Sequence, residues 1–120
     1  SLQTMERFTQ QQLEVVAREH QLGDAGVGSD RALNLSRANE VAQWITDNMV
    51  MVKTINRSAW SYTLKHVCET DIQYVSNGEF ITAAILLGYR YKQNCSNCWF
   101  NMGTGSINAA RKRQATEGKR

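Results

Sequence analysis

The stretch YVSNGEFITAAILLGYRYKQNCSNCWFNM, residues 74–102, decides the fold. Its first half reads as a helix with both ends marked. Ser76 and Glu79 have the Ser-x-x-Glu spacing of a capping box, in which the serine oxygen accepts from an early backbone N–H while the glutamate reaches back to the serine's own N–H. This spacing predicts a helix over residues 77–88, about three turns long, with Phe80, Ile81, Ala84 and Ile85 on its buried side. Gly88 stands where a left-handed C-terminal residue is wanted. The second half changes period. Tyr89 and Tyr91 alternate with Arg90 and Lys92, and Cys98, Phe100 and Met102 alternate with Trp99 and Asn101, which predicts a β-hairpin over residues 89–102. Asn94, Ser96 and Asn97 are its turn formers, asparagine taking positive φ at low cost.

Upstream, Ser58 is placed to cap a helix running to about Glu69, with Trp60, Leu64, Val67 and Cys68 on one face. Residues 54–58 read as a short break before it. Ala38, Val41, Trp44, Ile45, Met49 and Val52 recur at helical steps behind Ser36, which predicts a core helix there. Residues 23–30, GDAGVGSD, are the clearest loop. Residues 4–21 read as a first helix with a thin stripe of Met5, Phe8, Val15 and Val16. The chain has no proline, so glycines and caps must punctuate it. The expected fold is α+β and mainly helical: four or five helices and one antiparallel β-hairpin, with a winged-helix-like order in the C-terminal half. The expected core includes Trp44, Trp60, Leu64, Phe80, Ile81 and Ile85. Residues 1–110 read as one globular domain and 111–120 as a basic tail.

At 120 residues the chain can bury one modest core. No apolar run approaches the roughly eighteen residues that cross a bilayer, and the opening SLQTMERFTQQQ lacks the basic start and apolar core of a secretory signal. Three cysteines, an odd number, suit a reducing compartment, so a cytoplasmic location is expected. Residues 1–110 carry nine Lys and Arg against ten Asp and Glu, whereas the last ten, RKRQATEGKR, carry five against one. The basic excess of the whole chain thus falls at its end, a pattern suited to phosphate contact.

Cys95 and Cys98 have a Cys-x-x-Cys spacing, and His66 and Cys68 would complete a Cys₃His zinc set. Two residues apart on a helix, His66 and Cys68 point roughly 200° away from each other, so they cannot both face one ion. The pair therefore reads as flanking a hairpin tip, with no metal and no other cofactor. No nucleophile elbow, phosphate-binding glycine loop or zinc-protease motif occurs, and neither His20 nor His66 has a matched acid or nucleophile nearby in sequence. The expectation is not an enzyme.

The stretch NRSAWSYTLKHVCETDIQYVSNGEFITAAILLGYRY, with NCWFNM after it, resembles small uncharacterised proteins of bacteria and of their mobile elements. The resemblance implies a bacterial, intracellular setting and carries no activity with it. Function is read from order instead. Two helices around a short connection, then a hairpin, is the order of a winged helix-turn-helix domain. On that reading Asn77, Glu79 and Thr82 approach DNA base edges, Arg90 and Lys92 on the wing approach phosphate, and Arg111, Lys112 and Arg113 lie along the backbone. Residues 77–88 before the wing hold no Arg or Lys, so affinity must come from Arg57, Lys65, Arg90, Lys92 and the tail. DNA is the expected partner, in a module of regulatory type, and no membrane contact is expected. The alternative is a small protein-binding adaptor or inhibitor.

Overall fold

The structure, a computed structural model, describes residues 8–23, 26–27 and 33–117. Its elements in chain order are α1 (Gln10–Glu19), β1 (Leu22–Gly23), β2 (Gly26–Val27), α2 (Leu35–Asn48) and β3 (Met51–Trp60). Then follow α3 (Ser61–Asp71), α4 (Asn77–Leu86), β4 (Tyr91–Asn94), β5 (Asn97–Met102) and α5 (Thr104–Glu117). The fold is α+β and mainly helical. Among the described residues no helix is long and apolar enough to cross a membrane.

Residues 74–102 fold as their spacing demands. Glu79 N donates to Ser76 Oγ at 3.1 Å, and Ser76 N donates to Glu79 Oε1 at 3.0 Å, closing the capping box. At the far end Gly88 takes φ +95. Its N–H reaches Ile85 O, and Tyr89 N reaches Ala84 O, the paired bonds of a Schellman ending. β4 and β5 pair antiparallel around Cys95 and Ser96. The positive φ of that turn falls on Cys95, at 57, and not on an asparagine.

Three helix boundaries differ from expectation. Residues 8 and 9 precede α1, whose cap is Thr9 in a reciprocal pair with Gln12. The expected start at residue 4 lies outside the described residues. The cap of α2 is Asn34, whose Oδ1 accepts from Arg37 N at 2.9 Å, two residues before the expected Ser36. The larger correction concerns residues 51–60, read as the end of one helix, a break and the start of the next. They form β3, and Ser58 caps nothing: Trp60 takes the cap position of α3, without a side-chain bond.

β3 makes the sheet three-stranded, in the order β3-β5-β4 and antiparallel throughout. Its register with β5 jumps twice, from Met51↔Met102 to Asn56↔Phe100 to Trp60↔Trp99. Side chains close the gaps these bulges leave. Asn56 Nδ2 donates to Met102 O at 2.8 Å, and Asn101 Nδ2 donates to Val52 O at 2.9 Å. Residues 23–30, expected as a loop, contain in their described part a small antiparallel pair, Leu22↔Val27 and Gly23↔Gly26.

α4 is the axis of the core. Phe80 is fully buried between Trp44 of α2 and Phe100 of β5, at ring-centroid distances of 6.4 and 6.0 Å. Packing on α4 comes from α1, β1, β2, α2, α3 and β5. The closest approach is at Gly78, where a Cβ would lie 1.7 Å from Gly23 O, so the position admits no side chain. Of the expected core residues, Trp44, Leu64, Phe80 and Ile81 are buried and Ile85 is partly buried. Trp60 is only partly covered and lies on the sheet.

Candidate nucleic-acid interface

The side chains expected to read bases are inside the protein. Asn77 is buried, and its Nδ2 donates to Ser96 O at 3.2 Å and Asn97 Oδ1 at 2.8 Å, tying the start of α4 to the hairpin turn. Glu79 is buried in the capping box, and Thr82 has no exposure at all. None of the three can reach a base edge in this fold. The reason is that α4 is apolar on nearly every side, which is the mark of a helix packed all round. α1 and the β1-β2 pair cover the flank that a groove-reading helix must leave open.

Arg111, Lys112 and Arg113, expected in a tail, belong to the second half of α5. Arg113 is spent on structure. It forms a two-pronged bond to Asp71, at 2.6 and 3.2 Å, and reaches Asn48 at 3.2 Å and Glu117 at 3.1 Å. Asp71 also accepts from Trp44 Nε1 at 2.6 Å, so one carboxylate joins α2, α3 and α5. Burial works against its ionisation, yet the bonds from Arg113 and Trp44 hold the Asp71 carboxyl below its ordinary value. Arg111 and Lys112 are exposed and make no ion pair among the described residues.

The cations of the sheet are arranged differently. Residues directly opposite in an antiparallel pair point to the same face. Tyr91↔Phe100 and Gln93↔Cys98 therefore share the inner face, while Lys92↔Trp99 looks outward; at the hairpin tip Asn97 turns back to bond Asn77 and Ser61. Trp60, opposite Trp99 on the other side, lies against it with ring centroids 5.0 Å apart. The Arg57 guanidinium sits 4.6 Å over the Trp99 ring, within cation–π range. Arg90 enters the hairpin beside Asn101, whose Oδ1 accepts its backbone N–H at 2.7 Å. Both tryptophans are partly exposed, and Arg57, Arg90 and Lys92 are exposed.

The outer face thus combines two indole rings with three cations, and no carboxylate among the described residues pairs with those cations. The signal for it was present in the chain. Residues 48–68 and 80–116 contain no Asp or Glu, although they hold eight Lys and Arg. Over residues 1–110 as a whole the excess disappears, because Glu14, Glu19, Glu40 and Asp47 of α1 and α2 offset the sheet's cations. Alternation had already set Trp99 opposite in facing to Cys98 and Phe100. Trp60 gave no such hint.

The cysteines lie apart in role. Cys95 is exposed at the hairpin tip, whereas burial pushes the Cys98 thiol up to about 11 and raises Cys68 further still. Among the described residues no three His, Cys, Asp or Glu side chains gather to hold a metal. His66 is hydrogen-bonded to Glu69 at 2.9 Å and lines an open cleft of about 400 Å³ between α3 and α5, with Tyr62 and Arg111. His20 bonds the Tyr91 hydroxyl, joining the end of α1 to β4. Comparison with family models, curated proteins and solved structures finds no match to the chain.

Proposed function

We propose that this chain is a nucleic-acid-binding module of winged helix-turn-helix type whose contact surface is the outer face of the sheet, not α4. The order of elements supports the winged reading. A helix, α2, is followed by a strand, then by two helices, then by a hairpin, and the early strand β3 pairs with the hairpin's second strand. The observation that carries the proposal is the outer face itself, where Arg57 lies over Trp99, Trp60 lies against it, Lys92 stands opposite it and Arg90 is exposed just before β4, none of the three cations paired with a carboxylate among the described residues. Such a face attracts a polyanion and repels basic proteins.

The test is binding of fluorescent mixed-sequence DNA by anisotropy at several salt concentrations. Each phosphate neutralised contributes about −0.7 to −0.9 to the slope of log affinity against log salt. Replacing Arg57 and Lys92 together with alanine should weaken binding and flatten that slope by roughly 1.4–1.8. No binding by the parent at low salt overturns the proposal, as does a double variant that binds like the parent.

One observation favours the rival reading of a protein-binding adaptor. Val50, Met51 and Val52 are consecutive and exposed, at 60%, 49% and 37%. A partner seated there would bury apolar area, and its affinity would hardly respond to salt.

A further inference from the structure

We infer that the ligand of the sheet face is single-stranded nucleic acid, its unpaired bases stacking on Trp60 and Trp99 while Arg57 and Lys92 hold backbone phosphates. This inference rests on the nucleic-acid reading above and narrows it to a class of substrate. A paired duplex turns its base faces toward one another and offers a protein phosphates and groove edges. Reading a groove needs a protruding element, and α4, which holds that place in the winged order, is buried. What remains exposed is a sheet face bearing indole rings. Partly hydrated indoles gain little against a duplex backbone, but each gains a stacking partner from an unpaired base, whichever base it is.

The layout across the strands suits a chain crossing the sheet. Lys92 lies on β4, Trp99 on the central β5, and Trp60 and Arg57 on β3. With neighbouring strands about 4.8 Å apart, the two cation-bearing strands are separated by roughly 10 Å. A backbone running across β5 then meets Lys92 from β4 and Arg57, reaching over Trp99 from β3. Arg57 lies over Trp99 in the free protein, and its exposed, flexible side chain can turn to a phosphate and free the ring for a base. The described residues present no side chain distinctively placed for a 2′-hydroxyl, so the shared chemistry of unpaired bases and phosphates defines the ligand, and the sugar is left to experiment.

The experiment compares three labelled probes on the full chain at one salt concentration: a twelve-nucleotide deoxythymidine strand, a twelve-nucleotide uridine strand and a twelve-base-pair mixed duplex. At least one single strand should bind tenfold or more tighter than the duplex. The tighter of the two single strands identifies the sugar. Trp99→Leu, which keeps apolar cover but removes the ring, should lose roughly tenfold on single strands and leave duplex binding nearly unchanged. Should that variant fail to fold, Trp60→Leu and quenching of tryptophan fluorescence in the parent by the single strand give the same answer. Equal or tighter duplex binding, still dependent on Arg57 and Lys92, overturns this inference and leaves the nucleic-acid reading standing. Absence of binding to all three probes removes both.

Discussion

Replacing Gly78 with alanine tests the seam where β1 crosses the start of α4, and it does so through the sign of the effect. In an exposed helix, glycine to alanine stabilises by about 1 kcal/mol, because alanine gives up less chain entropy. At Gly78 the new Cβ would lie 1.7 Å from Gly23 O, where real contacts are essentially never under 3.0 Å. The obstacle is a backbone carbonyl, so no rotamer change relieves it, and Leu33 Cδ2 closes the other side at 3.0 Å. Overpacking of a filled interior costs about 1–3 kcal/mol, and a backbone collision belongs at the upper end. The net loss should be about 2 kcal/mol, a fall in melting temperature of roughly 6–12 °C for a chain of this size. Gly105 in α5 is the control, since nothing lies within 4 Å of its Cβ position. Alanine there should be neutral or stabilising. Thermal melts followed by circular dichroism, with urea midpoints beside them, read both. If Gly78→Ala melts at or above the parent, β1 does not lie on α4, and the covering of α4 must be abandoned.

Two further outcomes follow from the caps and the ion pairs. Ser76→Ala should cost about 1 kcal/mol by opening the capping box of α4, while Ser96→Ala at the exposed hairpin tip should cost almost nothing; equal urea midpoints for the two variants would contradict the cap. Asp71 and Glu69 are both partly desolvated, which opposes ionisation, yet hydrogen bonds hold both carboxyls below their ordinary values: Arg113 and Trp44 act on Asp71, and Val75 N–H, His66 and Lys65 on Glu69. Their stabilisation is therefore present above the unfolded carboxylate range, about pH 4, and is lost as pH falls through the lowered folded values. Melting temperature should drop on acidification below about pH 4, and Asp71→Asn should shrink that drop; an unchanged acid profile in the variant would show that the Asp71–Arg113 bond is not formed in solution.

The sequence by itself determined what is local. Ser76 and Glu79 meet three residues apart, Gly88 closes the same helix, and Tyr91 to Met102 alternate about a two-residue turn. Each of these depends on backbone geometry over a few residues, so spacing alone reports it. β3 was hidden because its partner lies some forty residues further on and because two register jumps erase the alternation that marks a strand. The boundary of α2 slipped for the same reason: Met49 and Val52 fit a helical step, but the chain leaves the helix to reach β5. Only tertiary structure decided the fate of the surface. Asn77, Glu79 and Thr82 look available when α4 is considered alone, and they are enclosed because α1 and β1, from fifty or more residues upstream, fold over them. Trp60 looks like core on a helical face and is turned outward because it ends a strand paired to Trp99. Burial is a property of what else arrives at a position, and pairing at long range is settled by the sum of many weak contacts, which no local pattern records.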